Sequence, residues 1–255
     1  DNSCIPVILG SATPSLESLK RVAQGQYKRL VLSQRVGGGA IPKVTLLDMR
    51  DEKKYSGLST TVIERVRSVL DSGQQAMIFL NRRGYAPVLM CHHCGWVVSC
   101  RFCETAMVWH KSTKKLQCHR CDSLSPVVKY CQECRQSELS PVGYGTERLD
   151  EYLSDVFGCY PIIRIDRDST RKKNSMMTLL KEIDEASSAV LVGTQMLAKG
   201  HHFPRLTLVV MLDVDGGLFS VDFRAQERLA QLICQVSGRS GRVDSCGEVM
   251  IQTYH

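Results

Sequence analysis

Short apolar runs alternate with amphipathic stretches over the first and last thirds of this 255-residue chain, and the pattern breaks between them. In the last third, Ile162 to Ile165, Ala189 to Val192, Leu206 to Leu212 and Glu248 to Gln252 read as strands. Between them, Met176, Leu179, Leu180 and Ile183 mark one helix face, and Leu229, Ile233 and Val236 mark another. Upstream, Val44 to Leu47 is strand-like and Ala76 to Leu80 reads as a buried strand. Val62, Val66, Val69 and Leu70 form a helical stripe that Gly73 is suited to stop. Strands separated by helices of this length predict an α/β fold on a parallel sheet. Gly37, Gly38 and Gly39 read as a connector between a short N-terminal piece and the main lobe, and a further helix is expected from near Thr146.

The break is filled by cysteine. Eight of the twelve cysteines fall in four Cys-x-x-Cys knuckles between Cys91 and Cys134, with five, fourteen and nine residues in the gaps. Two thiolates separated by two residues grip one metal from a single turn, and tetrahedral zinc takes four, so four knuckles predict two zinc ions. Pairing neighbouring knuckles is disfavoured, because five residues leave little chain to wrap one ion from both sides. A cross-braced scheme ranks second, and nesting is expected. Cys100, Cys103, Cys118 and Cys121 would hold an inner zinc across a hairpin, while Cys91, Cys94, Cys131 and Cys134 close an outer one. Four thiolates leave no open coordination position, so both sites are structural. A disulfide framework is disfavoured, since nothing resembles a signal peptide and the other four cysteines are scattered. Substitution of a cysteine by His92, His93, His110 or His119 is the other alternative; His93 and His119 are expected to face solvent or nucleic acid.

A hydrophobic content of 43% suffices for one large α/β core plus a metal-stapled module. The longest uncharged apolar run has seven residues, Leu206 to Leu212, against roughly twenty for a bilayer span. A soluble protein with no membrane partner is therefore expected, and its free thiols point to the cytoplasm. The formal charge of +7 suggests a polyanionic partner, yet eight thiolates and two zinc ions would bring the loaded chain to about +3. Local clusters such as Lys111, Lys114 and Lys115, at the predicted hairpin tip, weigh more than bulk charge.

Three strings occur in the order of superfamily 2 helicase motifs: Gly10-Ser11-Ala12-Thr13, Val192-Gly193-Thr194-Gln195 running to Lys199-Gly200, and Gln235-Val236-Ser237-Gly238-Arg239-Ser240-Gly241-Arg242. The last is the most specific. Two arginines three apart at a helix end, flanked by glycines, form a fork suited to charge developing on a transferred phosphoryl group. In the middle string a strand ends at Gly193, and polar residues emerge at the sheet edge where ligands of open α/β sheets bind. Thr194, Gln195 and Lys199 could touch a phosphate backbone there. Trp96, Phe102, Trp109 and Tyr130 could stack on unpaired bases, although filling the thin core between knuckles is the first expectation for most of them. Asp213, Asp215 and Asp222 stay unassigned.

The runs FLNRRGYAP (Phe79 to Pro87), CHHCGW, GTQMLAKGHHFP (Gly193 to Pro204), LDVDGGLFSVDFRAQER (Leu212 to Arg228) and QVSGRSGR, with the eight cysteines, resemble the bacterial primosomal replication-restart helicases over essentially the whole chain. The resemblance implies a RecA-like parallel-sheet helicase lobe and an ATP-dependent DNA helicase moving 3′ to 5′. Such an enzyme restarts stalled forks and directs primosome assembly, with DNA, primosome proteins and single-stranded DNA-binding protein as partners. Residues 1–40 would be the tail of lobe 1, 41–90 and 135–255 lobe 2, and 91–134 a zinc insertion. Arg239 and Arg242 would face the nucleotide, with Gln235 supporting them. Thr194, Gln195 and Lys199 would lie along single-stranded DNA or the lobe interface, and Ser11, Ala12 and Thr13 would couple hydrolysis to lobe movement. The chain departs from the family in having no G-x-x-x-x-G-K-[ST] and no Asp-Glu pair after a strand. It is therefore expected to be a fragment, inactive alone, with ATP and Mg²⁺ bound only in the intact protein. The alternative is a non-enzymatic zinc-ribbon module that binds DNA or protein from an α/β scaffold.

Overall fold

The computed structural model describes residues 6–32, 41–55, 57–80, 88–110, 113–141, 149–165, 175–193, 203–220, 222–238, 240 and 247–255. Helix α1 (Leu16–Ala23) begins at Ser15, whose hydroxyl accepts from the Ser18 N–H, and it buries none of its residues. After β1 (Lys43–Asp48), the short strands β2 (Lys54–Tyr55) and β3 (Leu58–Ser59) pair antiparallel and feed α2 (Thr60–Asp71). Ser59 caps α2 by accepting from the Val62 N–H at 3.1 Å. Gly73 ends it in the left-handed region, φ 77°, where the expected stop lies. Strand β4 (Gln75–Leu80) follows.

The cysteine-rich segment contributes five three-residue strands: β5 (Leu89–Cys91), β6 (Val108–His110), β7 (Lys115–Gln117), β8 (Leu124–Pro126) and β9 (Leu139–Pro141). The chain then runs through α3 (Leu149–Phe157), β10 (Ile162–Ile165), α4 (Ser175–Glu185), β11 (Ala189–Gly193) and β12 (Leu206–Leu212). It closes with α5 (Asp215–Leu218), α6 (Ala225–Ser237) and β13 (Glu248–Thr253).

Six strands form one parallel sheet in the order β1-β13-β12-β4-β11-β10. Side chains alternate between faces along each strand, and both faces of the inner strands β4, β11 and β12 are covered, so these three are apolar along most of their length rather than at every second residue. Met77, Phe79, Leu191, Val209, Met211 and Ile251 point to one face, which Ile183 of α4 and Leu229, Leu232 and Val236 of α6 cover. Ala76, Ile78, Val190, Val192, Val210 and Met250 point to the other, packed by α2 and by Leu149, Leu153 and Phe157 of α3. Leu232 is a buried position that the expected stripe of α6 omitted, and Ile233 is only partly buried.

The cysteine-rich segment is inserted between β4 and α3, beyond the carboxyl end of a central strand. Its two ends run antiparallel as β5 and β9, with Leu89 opposite Pro141 and Cys91 opposite Leu139. Strands β6, β7 and β8 form a separate three-stranded sheet. A small core of Leu89, Val98, Met107 and Leu116, backed by Trp96 and Trp109, fills the module. A second cluster, Val88, Met90, Val97 and Ala106, seats it against Phe219 and Tyr254 of the lobe.

Gln252 is a buried polar residue with every group in use. Its side-chain oxygen accepts from the Ser59 N–H at 2.9 Å, and its amide donates to the Gly57 carbonyl at 2.7 Å. Gln252→Leu removes both bonds while keeping most of the volume, and an unsatisfied buried group costs about 1–3 kcal/mol. The variant should lose about 2–4 kcal/mol of unfolding free energy in urea titration; an unchanged midpoint would show that water replaces the side chain at no cost.

Candidate metal centres and motif edge

The described cysteine sulfurs gather into two groups, Cys91 with Cys94, Cys131 and Cys134, and Cys100 with Cys103, Cys118 and Cys121. Within each group all sulfurs lie within 4.8 Å of one another. The knuckles therefore come together in the nested order. Cys91 to Cys134, Cys94 to Cys131 and Cys100 to Cys121 are each separated by 3.6 Å. A disulfide needs about 2.05 Å, and these eight cysteines are unbridged. A tetrahedron with zinc–sulfur bonds of about 2.3 Å has sulfur–sulfur edges of about 3.8 Å, so both donor sets fit a structural zinc ion. His93 is exposed, and none of the four histidines joins either group.

All four knuckles use one backbone device. The fourth residue after the first cysteine is left-handed in every case: Gly95 at φ 81°, Glu104 at 58°, Asp122 at 57° and Arg135 at 57°. That turn lets the N–H of Gly95 reach the Cys91 carbonyl at 2.8 Å, Glu104 that of Cys100 at 2.9 Å and Asp122 that of Cys118 at 2.9 Å. Only at Gly95 is glycine also required by contact, because a Cβ there would lie 2.8 Å from the Tyr254 carbonyl oxygen. The other three accept the modest penalty of a left-handed side chain.

Two serines complete the sulfur surroundings, and the knuckle spacing did not reveal them. The Ser137 hydroxyl lies 3.0 Å from Cys91 Sγ, and the Ser123 hydroxyl 3.2 Å from Cys100 Sγ and 3.3 Å from Cys121 Sγ. Each serine follows a second-half knuckle by two or three residues, which is the signal that could have found it. Burial pushes the Cys91 thiol up, but Ser137 and the N–H groups of Cys94 and His93 outweigh it and bring the thiol to about 6. Burial and the neighbouring sulfurs drive Cys94 the other way, to about 12. Ser123 and the Phe102 N–H bring Cys100 to about 6, while Cys121 and burial raise Cys103 to about 12. Crowded thiols thus retain part of their protons, and full ionisation calls for a cation.

Among the motif residues, the structure joins the first string to the last. Gln235 on α6 donates from Nε2 to Thr13 Oγ1 at 2.9 Å, and Thr13 N–H donates to Ser11 Oγ at 3.1 Å. The same N-terminal segment meets α6 twice more, through Leu16 N–H to Glu227 Oε1 at 2.8 Å and through an ion pair of Glu17 with Arg224. Ala12 adjoins these contacts in the chain. Arg239, Arg242, Thr194, Gln195 and Lys199 lie outside the described residues, as does Lys111.

The aromatic residues divide. Trp96 and Trp109 pack in the module core, whereas Phe102 is 81% and Tyr130 55% exposed. The expectation of core filling therefore fails for Phe102 and Tyr130, because each sits on a knuckle or turn too narrow to cover it. Asp222 closes the turn before α6 by accepting from the Arg224 N–H at 3.0 Å and pairs with Arg228. Asp215 is buried, accepts from the Thr253 hydroxyl at 2.5 Å and ties the exit of β13 to α5. Burial raises its pKa, which those hydrogen bonds oppose. Both aspartates have structural roles.

Sheet and clusters together define a class: a parallel-sheet α/β lobe with an inserted cysteine-rich module carrying two four-cysteine sites. The family profile for the PriA DNA helicase Cys-rich region (CRR) domain matches residues 100–126. The chain is related to replication restart protein PriA along nearly its whole length. It is 47% identical to the protein of that name from Haemophilus influenzae over 98% of this chain and 34% of the relative. Identity to the Bacillus subtilis protein is 42%, over 99% and 32%, and to the Rickettsia conorii protein 41%, over 98% and 39%. The chain thus spans roughly a third of these relatives. Solved structures overlay only loosely. Saccharomyces cerevisiae Dbp5 bound to RNA and ADP BeF3 gives a TM-score of 0.45 at 14% identity, covering 96% of this chain and 44% of that one. The Mss116p DEAD-box helicase domain 2 bound to an RNA duplex gives 0.39 at 16%, covering 83% and 53%.

Replacing Cys118 by Ser should release about one zinc per chain and raise amide exchange in β6 to β8 more than in the six-stranded sheet. Unchanged metal content on mass spectrometry would refute the ligand assignment. At the knuckle turns, Gly95→Ala should lower the thermal midpoint clearly, while Glu104→Gly should leave it unchanged or raise it by up to ~1 kcal/mol equivalent. Equal losses in both variants would show that the left-handed turn is not what selects glycine.

Proposed function

We propose that this chain is part of an ATP-dependent DNA helicase that moves 3′ to 5′, restarts stalled replication forks and directs primosome assembly. Kinship to PriA supports the reading. The observation that carries it is the bond from Gln235 to Thr13, which links the first motif-like string to the arginine-bearing string across 222 residues. A machine that converts hydrolysis into lobe movement needs such a bridge between its parts.

In this reading residues 1–40 end the first lobe, 41–90 and 135–255 form the second, and 91–134 form the zinc insertion, with two structural Zn²⁺. Gln235 holds the start of the segment from which Arg239 and Arg242 would face the nucleotide, their guanidinium groups offsetting charge on the transferred phosphoryl. Ser11, Ala12 and Thr13 would pass the change to the neighbouring lobe. Thr194, Gln195 and Lys199 would follow single-stranded DNA, with Gly200 permitting close approach. ATP and Mg²⁺ would be held by residues beyond this stretch, which contains no phosphate loop, and the stretch alone would be inactive.

The module's surface supports a nucleic-acid partner at forks. Exposed Phe102 and Tyr130 can each stack on an unpaired base for about 1–3 kcal/mol, and Lys129 lies 5.4 Å over the Tyr130 ring. Primosome proteins and single-stranded DNA-binding protein are the expected protein partners. No helix of the described residues is long and apolar enough to cross a membrane, and the proposed setting is the bacterial cytoplasm.

In the intact protein, Arg242→Ala should cut DNA-stimulated ATP hydrolysis by roughly 10³-fold while DNA affinity stays within a few-fold. Parallel loss of both would identify the arginine as structural and count against the motor reading.

A further inference from the structure

The two cysteine clusters differ in what lies behind them. Two ligands of the inner cluster, Cys100 and Cys118, sit in the module's own small core, and Cys121 is exposed. The outer cluster is fastened to the lobe by a side chain from elsewhere in the sequence. Lys54 on β2 donates to the carbonyl of His92, inside the Cys91–Cys94 knuckle, and to the Tyr254 hydroxyl at 3.2 Å. Its ammonium lies 4.5 Å from the centre of the Tyr254 ring, against which His92 stands edge-on at 5.3 Å. Gly95, closing the same knuckle, presses on the Tyr254 carbonyl. One cation therefore meets the knuckle and the exit of β13 together.

Charge gives the contact its meaning. Four thiolates around one zinc ion leave about two negative charges in a partly buried site. Arg50, four residues earlier, is engaged by Asp48 at 2.9 and 3.1 Å, and Lys53, next to Lys54, is exposed. Among the described residues no carboxylate forms an ion pair with Lys54, and its hydrogen bonds go to the knuckle carbonyl and to Tyr254. Groups that hold the ligands of a metal typically change its affinity 10- to 100-fold when removed.

We propose that Lys54 is a positioning residue for the outer metal: it pins the Cys91–Cys94 knuckle to the lobe and sets a positive charge against four thiolates, coupling retention of that ion to the lobe. Among the described residues no such side chain from the lobe reaches the inner cluster. The inference rests on the reading that both clusters hold zinc.

Zinc release from the loaded chain into excess chromophoric chelator tests it. Lys54→Met should speed release of one of the two ions roughly 10- to 100-fold and leave the other unchanged. Lys54→Arg, which keeps the charge, should remain closer to the parent rate. In a Cys118→Ser background the remaining ion is the outer one, and Lys54→Met must still accelerate it. Tyr254→Phe, which removes only a hydroxyl, should act in the same direction by a smaller factor, and it serves if Lys54→Met does not fold. Unchanged rates, equal acceleration of both ions, or equal rates in the Arg and Met variants would overturn the proposal. A parent chain holding fewer than two zinc ions would instead refute the metal reading beneath it.

Discussion

Convergence of four sulfurs on one point is the constraint from which the middle of this molecule follows. Thiols 3.6 Å apart and unbridged are unfavourable company, and the chain brings them together twice by spending a left-handed residue in each knuckle. Nesting does the rest. The inner group closes a short hairpin, and the outer group closes the segment that contains it, so each loop is shut across a modest length of chain. The strands of the module are three residues long, too short to hold a sheet on their own, and its apolar core is small. Sulfur geometry substitutes for core.

Where that module stands is decided by the sheet. Strand β4 lies at its centre, between β12 and β11, and the insertion departs from the carboxyl end of β4, the edge at which open α/β sheets bind their ligands. The lobe reaches back through Phe219 and Tyr254, and Lys54 adds a polar fastening. The N-terminal segment meets α6 through the polar contacts of Leu16 and Thr13, and α1 buries none of its residues. Contacts of that kind break and reform at little cost, whereas the apolar seat of the module does not. The molecule therefore pairs an apolar junction at the insertion with a polar one at α6.

Legibility followed the strength of the local signal. Strands buried on both faces announce themselves as unbroken apolar runs, and Leu206 to Leu212, Ala76 to Leu80 and Ala189 to Val192 were visible for that reason. The stripe of α2 and its stop at Gly73 were equally plain. Phe102 and Tyr130 were misjudged, since apolarity says what a side chain prefers and not whether a narrow turn can cover it. The sulfur-facing serines, the β5–β9 neck and the bond from Gln235 to Thr13 were not legible either, because each joins groups too far apart in sequence, or too ordinary in type, for spacing to mark.

By itself, then, the amino-acid order determined the parallel α/β class, the four knuckles and their nested grouping, because period and spacing are local properties that follow from strand geometry and from the reach of a short turn. Only the tertiary structure decided which lysine backs the outer sulfurs, which aromatic residues meet solvent and which distant polar groups share a bond. Those depend on where the sheet carries residues such as Lys54 and Tyr254, 200 positions apart, and on the packing that leaves them no other place to be.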